Sequence, residues 1–152
     1  MNDGIMKTRP NGRLQALAWL AIICASGPLE AKADIVWSWS YNNPDTKIAA
    51  SGTLTTKDLA AGSYVINALT GQWNGAGITG LEAVKSCCSP PGWNSNLLLD
   101  GSPELDKDGF AFSVTGGLKI NLFYKSGSYA YEIQNGPEVF GGTFVATPSG
   151  AR

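Results

Sequence analysis

The chain has no histidine, and this absence limits the chemistry that it can perform. Ser-His-Asp and Cys-His nucleophile systems need an imidazole base, and many zinc sites need an imidazole ligand. Cys87 and Cys88 cannot by themselves supply the four thiolates of an all-cysteine zinc site. Any metal or acid–base chemistry therefore has to rest on carboxylates.

Four carboxylates lie close together in one turn-rich segment, at Asp100, Glu104, Asp106 and Asp108. Clustered oxygens in a loop are ligands that calcium accepts. The Asp106-x-Asp108-Gly109 spacing lacks the distal bidentate glutamate of an EF-hand, and hairpin turns also select Asp and Gly. The segment is a candidate calcium site, and the alternative is a set of solvated turn residues.

Paired carboxylates could also serve a glycosidase, either these acids or Glu82, Glu132 and Glu138. Nothing in the sequence marks a cleft around them, or an environment that would raise a carboxyl pKa. We therefore expect no catalytic residue, no cofactor and no enzymatic activity.

Cys87 and Cys88 are adjacent in the sequence. In an oxidising compartment, neighbouring cysteines can close a strained vicinal disulfide or pair with other chains. Three states stay open: a vicinal disulfide that stiffens its loop, two free thiols, or an intermolecular or redox-active pair.

Trp37, Trp39 and Tyr41 alternate with serines, so they share one face of a strand. Such a row could be an exposed platform on which sugar rings stack. A strand that faces a core shows the same alternation, and aromatic residues pack well in cores. Trp93, beside the cysteine pair, is a second candidate for an exposed sugar-binding aromatic residue.

From residue 34 onward, apolar residues recur with the period of two that is typical of half-buried strands. Short turns join these segments, and no long helical pattern separates them, so the strands should pair antiparallel. Asn74-Gly75 predicts a tight hairpin within residues 72–81, whereas residues 82–95 predict an irregular loop. The expected fold is all-β: an antiparallel β-sandwich or flattened barrel of about eight to ten short strands.

The first 33 residues have the organisation of a secretory signal peptide: a basic start, an apolar run over 14–25, a Ser-Gly-Pro breaker and an Ala31-x-Ala33 cleavage site. The apolar run is shorter than the ~20 residues of a stable membrane span. We therefore predict Sec-type export with cleavage between Ala33 and Asp34. Ile23 precedes Cys24, where lipid attachment requires a small residue, so we predict no lipidation.

Export would leave one all-β domain at 34–147 and a short tail at 148–152, secreted into the periplasm or the extracellular space. The 11 basic and 12 acidic residues are scattered, and the net charge is −1, which argues against nucleic acid as a partner. We expect no stable membrane anchor after cleavage of the leader. The expected partners are polysaccharide or other envelope components.

Several strings in this order resemble short exported bacterial proteins of the PEP-CTERM sorting-domain type: SGTLTT, GSYVINALTGQWNGAGITGL, NLLL, DGFAFSV and LKINLFY. Members of that group have no assigned activity, and the resemblance implies an envelope or exopolysaccharide context. The sequence ends without the Val-Pro-Glu-Pro motif, apolar helix and basic tail of the sorting signal. We therefore expect either a released protein or a sequence that stops where that tail would begin.

These observations favour a non-enzymatic exported β-domain of the envelope or extracellular matrix, with a structural or adhesive role. The alternative is a carbohydrate-binding module that uses Trp37, Trp39, Tyr41 or Trp93. Exposure of these aromatic side chains discriminates between the two hypotheses.

Overall fold

A computed structural model of the protein describes residues 33–60, 62–88 and 92–150, and within these ranges every regular element is a strand. No helix in these ranges is long and apolar enough to cross a bilayer. Apart from Ala33, the predicted leader lies outside the described residues. The strands are β1 (Ile35–Asn43), β2 (Ile48–Ala60), β3 (Ser63–Trp73), β4 (Ala76–Leu81), β5 (Leu97–Leu99), β6 (Phe110–Val114), β7 (Lys119–Lys125), β8 (Ser128–Ile133) and β9 (Glu138–Pro148).

Eight of these strands close into an antiparallel barrel. Their order is β2-β1-β9-β8-β7-β6-β4-β3, and β3 pairs back onto β2 to complete the ring. The short strand β5 pairs with the beginning of β3, and β4 pairs with its end. The predicted all-β antiparallel fold is therefore confirmed, and the β2–β3 pairing makes it a closed barrel rather than two separate sheets.

The hairpin between β3 and β4 turns at Asn74 and Gly75, as predicted. Both residues have positive φ angles, 47° and 85°, which is what a two-residue type I′ turn requires. Because the turn is this tight, Trp73 lies directly opposite Ala76. The final strand ends at Pro148, one residue beyond the predicted end of the domain.

The aromatic row of β1 faces the interior of the barrel. Trp37, Trp39 and Tyr41 are only 7%, 3% and 1% exposed, so the prediction of an exposed platform is wrong and the core alternative is right. The Trp39 ring meets Phe110 edge to face at 5.7 Å. The side chains on one face of a strand all enter the core when the sheet closes around that face, and aromatic pairs of this geometry stabilise it.

The segment between β5 and β6 folds back across one end of the barrel. Leu105, which lies in this segment, is completely buried among the core residues. Backbone hydrogen bonds hold the segment, from Leu99 N to Glu104 O at 2.8 Å and from Tyr124 N to Asp106 O at 2.9 Å. This segment therefore contributes the side chain of Leu105 to the core.

One side of the barrel also has an outer layer. The connection between β4 and β5 lies over the outer face of β6, where Cys87 and Cys88 form a small buried cluster with Ala111. On the next strand, β7, the outward-facing Phe123 is buried as well. The described residues of this connection, 82–88 and 92–96, are called the outer loop below.

Candidate functional site

Asn94 holds the two limbs of the outer loop together. Its Oδ1 accepts hydrogen bonds from Ser86 N and Cys87 N, both at 3.0 Å. Its Nδ2 donates to Ala83 O at 2.8 Å and to Asn96 Oδ1 at 3.0 Å. The side chain is fully buried, and three of these four bonds satisfy backbone groups that the irregular chain would otherwise leave without partners, while the fourth links it to the side chain of Asn96.

Asn96 continues this network onto the barrel. Its Nδ2 donates to Glu82 O at 2.7 Å, and its Oδ1 accepts from Ala111 N at 3.2 Å. Asn96 has a φ of 54°, in the left-handed region that asparagine tolerates better than most residues. The outer loop is therefore pinned to β6 by side-chain amides.

The beginning of the outer loop is held by a charged group. Glu82 accepts a hydrogen bond from Lys119 Nζ at 2.7 Å and a very short one from Ser113 Oγ. Partial burial acts to raise the pKa of Glu82, but the hydrogen bonds from Lys119 and Ser113 outweigh it and lower the pKa below the usual range. Glu82 is therefore an ionised anchor between the loop and strands β6 and β7.

The cysteine pair lies under Trp93. The Sγ atoms of Cys87 and Cys88 are bonded to each other, so the structure has the vicinal disulfide among the three predicted states. Trp93 N donates to Cys87 O at 2.8 Å. The indole itself is 52% exposed, in contrast to the three other tryptophans within the described ranges, which are buried.

A second set of contacts fixes Trp93 relative to β7. Ser95 N and Asn96 N both donate to Gly109 O at 2.9 Å. A Cβ atom at Gly109 would lie 2.0 Å from Leu122 O, so only glycine allows the chain to approach β7 this closely. These contacts therefore hold Ser95 and Asn96 of the outer loop against the turn that precedes β6, and this turn lies close to β7.

A cleft of about 220 Å³ opens beside Trp93 on the outer face of the barrel. Its floor is a row across three strands, in which Asn121 of β7 lies opposite Glu132 of β8, and Glu132 lies opposite Glu138 of β9. We call this site the Trp93 cleft; it is formed by Trp93, Asp108, Asn121, Phe123, Glu132 and Glu138, with Lys107 and Lys125 also lining it.

Asn121 has a hydrogen-bonding capacity that the protein does not use. Its side chain is 2% exposed, and its Nδ2 donates to Asp108 O at 3.0 Å. Its Oδ1 is buried and has no hydrogen-bond partner. A buried acceptor without a partner costs about 1–3 kcal/mol.

The two lysines of the Trp93 cleft each form an ion pair at its border. Lys107 Nζ lies 2.8 Å from Asp108, and this hydrogen bond raises the pKa of the lysine, which stays charged. Lys125 Nζ donates to both carboxylate oxygens of Glu138, at 2.7 and 2.9 Å. Both ion pairs therefore place charged groups that can form hydrogen bonds near the exposed indole of Trp93.

The four acids of the predicted calcium site do not converge. Asp106 Oδ1 accepts from Gly109 N at 2.6 Å and from Ser95 Oγ at 3.0 Å, so it caps the turn before β6. Asp108 lines the Trp93 cleft and pairs with Lys107. Within the part of the chain that the structure describes, no group of three or more acidic or cysteine side chains could hold a metal ion. The calcium prediction is therefore wrong, because these side chains pair with separate parts of the fold: Asp106 with the turn before β6, Asp108 with Lys107, and Glu104 with the backbone of β9.

Asp100 and Glu104 line a different and larger groove, of about 730 Å³, near Trp37 and Phe144. Glu104 Oε1 accepts from Ala146 N at 3.3 Å, and burial nevertheless raises the pKa of its carboxyl. This carboxylate serves the backbone of β9. The exposed indole and the unpaired amide oxygen instead favour the Trp93 cleft as the functional site.

Four of the residues that line the cleft, Trp93, Asp108, Glu132 and Glu138, were candidates in the sequence, but for different roles, and the sequence did not place them together. Asn121 and Glu132 have no marked sequence motif, and they come together only through strand pairing. The Trp-Asn-Ser-Asn string at 93–96 is the one sequence feature that could have pointed to the structure of the outer loop. Asparagine side chains often form hydrogen bonds with backbone groups in segments that lack regular secondary structure.

The fold and the site together define a closed antiparallel β-barrel with a polar, tryptophan-bordered cleft on its outer surface. No family model, curated protein or solved structure matches the chain.

Proposed function

We propose that this domain is a non-enzymatic carbohydrate-binding module, and that the Trp93 cleft is its binding site. The observation that carries the proposal is the half-exposed Trp93 indole beside a cleft lined by amide, carboxylate and ammonium groups. The apolar face of a sugar ring packs on an indole, and its hydroxyl groups pair with polar side chains of this kind. Trp37, Trp39 and Tyr41 are buried in the core and do not line this cleft.

Rigidity of the site supports this proposal. Trp93 is held by its backbone bond to Cys87 and by the Asn94 network below it, and the floor of the cleft consists of paired strands. A binding surface that is ordered before the ligand arrives loses less entropy on binding. The volume of about 220 Å³ is smaller than the ~300–1,000 Å³ of typical small-molecule sites, which favours recognition of a single ring of a polysaccharide.

The biological setting is part of the same proposal. We propose that the domain is exported and binds polysaccharide in the envelope or extracellular matrix, as the leader-like first 33 residues and the resemblance to PEP-CTERM-type proteins suggest. Intact-mass analysis of the protein from its own host tests this part. If the protein in the envelope or medium has the mass of a chain that begins at Asp34, export is supported. An uncut chain in the cytoplasm contradicts it.

Tryptophan fluorescence titrated with a panel of soluble oligosaccharides tests binding. We expect a saturable change for at least one of them, and loss of the binding heat of that oligosaccharide in calorimetry with Trp93→Ala, a readout that does not depend on the indole that the variant removes. Leu118→Ala is the matched control, because Leu118 is similarly exposed at 54% but does not line the cleft. The absence of any response across neutral, acidic and amino-sugar oligomers would remove the proposal.

A further inference from the structure

We infer that the groove beside Glu104 is a second binding site, and that it takes a small aromatic amine, that is, an ammonium group attached to an aromatic ring. We call this site the Glu104 groove. It has no lining residue in common with the Trp93 cleft, so the inference does not depend on the proposed carbohydrate binding. Its lining includes two acids and four aromatic side chains, on Asp100, Glu104, Trp37, Tyr64, Tyr129 and Phe144.

Hydrogen bonds to three strands fix the position of Glu104. Its backbone N donates to Tyr129 Oη of β8 at 3.0 Å, and its backbone O accepts from Leu99 N of β5 at 2.8 Å. Its side-chain Oε1 accepts from Ala146 N of β9 at 3.3 Å. The carboxylate is therefore in place before a ligand arrives, which reduces the entropy that is lost on binding.

The protein does not compensate the charge of this carboxylate with a cation. Among the described residues, no lysine or arginine lines the Glu104 groove, and neither Glu104 nor Asp100 forms an ion pair. The single hydrogen bond from Ala146 N does not offset the partial burial of Glu104, and burial raises the pKa of its carboxyl.

An ammonium group would supply what this site lacks. It brings the opposite charge and three hydrogen-bond donors to the Glu104 carboxylate. The exposed carboxylate of Asp100 attracts the same cation and repels an anion. A partly buried acid in a cleft, with a pKa that desolvation has shifted, is also typical of functional sites.

The aromatic walls of the groove suit the ring of the ligand. Tyr64 and Tyr129 line the groove and are only partly buried. Edge-to-face contacts hold both rings, Tyr64 with Trp37 at 5.1 Å and Tyr129 with Tyr124 at 5.0 Å. A ligand ring packs well against tyrosine, and the face of a tyrosine ring also attracts a cation.

The size and layout of the groove favour a small organic molecule. Its volume of about 730 Å³ lies within the ~300–1,000 Å³ of typical small-molecule sites. The acids come from the segment between β5 and β6, whereas strand residues such as Leu98 and Phe144 supply apolar walls. An ammonium group can therefore pair with the acids while an attached ring contacts the strands.

Three ligands with a similar phenyl body and different head groups test the inference: protonated phenethylamine, phenylethanol and phenylpropionate. Each is titrated into the isotope-labelled whole protein at pH 7, and the amide chemical shifts are followed by NMR. We expect the amine to bind about 10-fold more tightly than the alcohol, because hydrogen bonds to charged groups are stronger than neutral ones. Phenylpropionate should bind more weakly than the alcohol. The shifts should centre on the amides of Glu104 and Ala146, and the amide of Asn121 in the Trp93 cleft should not move.

Two variants connect the preference to the Glu104 groove. Glu104→Gln removes the charge but keeps a side-chain oxygen that can accept from Ala146 N. We expect it to reduce the preference for the amine over the alcohol about five-fold. Asp45→Asn is the matched control, because it removes the same charge from an exposed acid that lines neither the Glu104 groove nor the Trp93 cleft. It should leave the preference unchanged.

Three outcomes would overturn the inference. Equal affinity for the amine and the alcohol would show that the groove does not select a cation. A preference for the amine that survives Glu104→Gln, or shifts that centre outside the groove, would show general attraction to the charge of the protein. The absence of any shift at about 20 mM ligand would show that the groove does not bind this class of molecule. The oligosaccharide titrations test the Trp93 cleft separately, so either proposal can fail without the other.

Discussion

Replacing Asn94 with alanine should open the outer loop and leave the barrel folded. The substitution removes four hydrogen bonds, to Ser86 N, Cys87 N, Ala83 O and Asn96 Oδ1, all between 2.8 and 3.0 Å. Each such bond contributes a net ~0.5–1.5 kcal/mol. Some of these groups are only partly buried and can recruit water, so we expect a total loss of about 2–4 kcal/mol.

This loss should appear as local opening, because the outer loop packs on the outside of β6 and contributes no residue to the barrel interior. Hydrogen exchange measured by mass spectrometry resolves the location. We expect the amides of residues 83–88 and 92–96 to exchange roughly 30- to 700-fold faster in Asn94→Ala, since 1.4 kcal/mol corresponds to a factor of ten. Amides of β7 should keep their protection.

Asn43→Ala is the matched control. Asn43 is also fully buried, and its side chain forms four hydrogen bonds at the turn between β1 and β2, among them one to Phe140 O at 2.9 Å. Its loss should destabilise that end of the barrel and leave exchange in the outer loop unchanged. The reasoning is refuted if Asn94→Ala leaves the loop amides protected, or if both variants expose the same segments.

Three further predictions follow from individual groups. Leu105→Ala should lower the free energy of unfolding by about 2–5 kcal/mol in urea titrations, because it creates a cavity in the core; a loss below ~1 kcal/mol would contradict its place there. Glu104→Gln should raise the melting temperature at pH 7 and not at pH 3. Burial raises the pKa of Glu104, so the folded state favours the protonated carboxyl. The resulting stabilisation is fully present below the pKa of Glu104 in the unfolded chain, and it is lost as the pH rises through the pKa in the folded chain. An equal effect of the substitution at both pH values would exclude this cause. The Cys87→Ser, Cys88→Ser double variant should lower ligand affinity but have little effect on the melting temperature. A disulfide that closes a loop of only two residues contributes little to global stability, whereas this one lies next to Trp93. Unchanged affinity would show that the disulfide does not support the binding site.

The local features of the fold were predictable from the sequence. Alternation of apolar and polar residues depends only on neighbours along the chain, so the strands containing Trp37 and Phe110 were identified correctly. The turn at Asn74-Gly75 depends on the φ angles that those two residues accept, which is also a local property. The absence of histidine excludes imidazole chemistry by composition alone.

The candidate site was predictable only in part. Trp93 was predicted as a candidate for an exposed aromatic residue beside the cysteine pair, and the structure places it 52% exposed. Asn121 alternates with apolar residues along its strand, but its burial depends on the outer loop and on the turn at Asp108. These segments are separated from it in sequence, and no local pattern encodes their approach.

The sequence by itself determined that this protein is an antiparallel β-domain, since strand periodicity and turn chemistry act over a few residues. Only the tertiary structure decided which face of each strand is inside. The closing β2–β3 pairing made the aromatic row of Trp39 the core, and the outer loop made Asn121 and Glu132 the floor of a cleft. The physical reason is that burial is a property of the whole assembly of strands, whereas alternation shows only that the two faces differ.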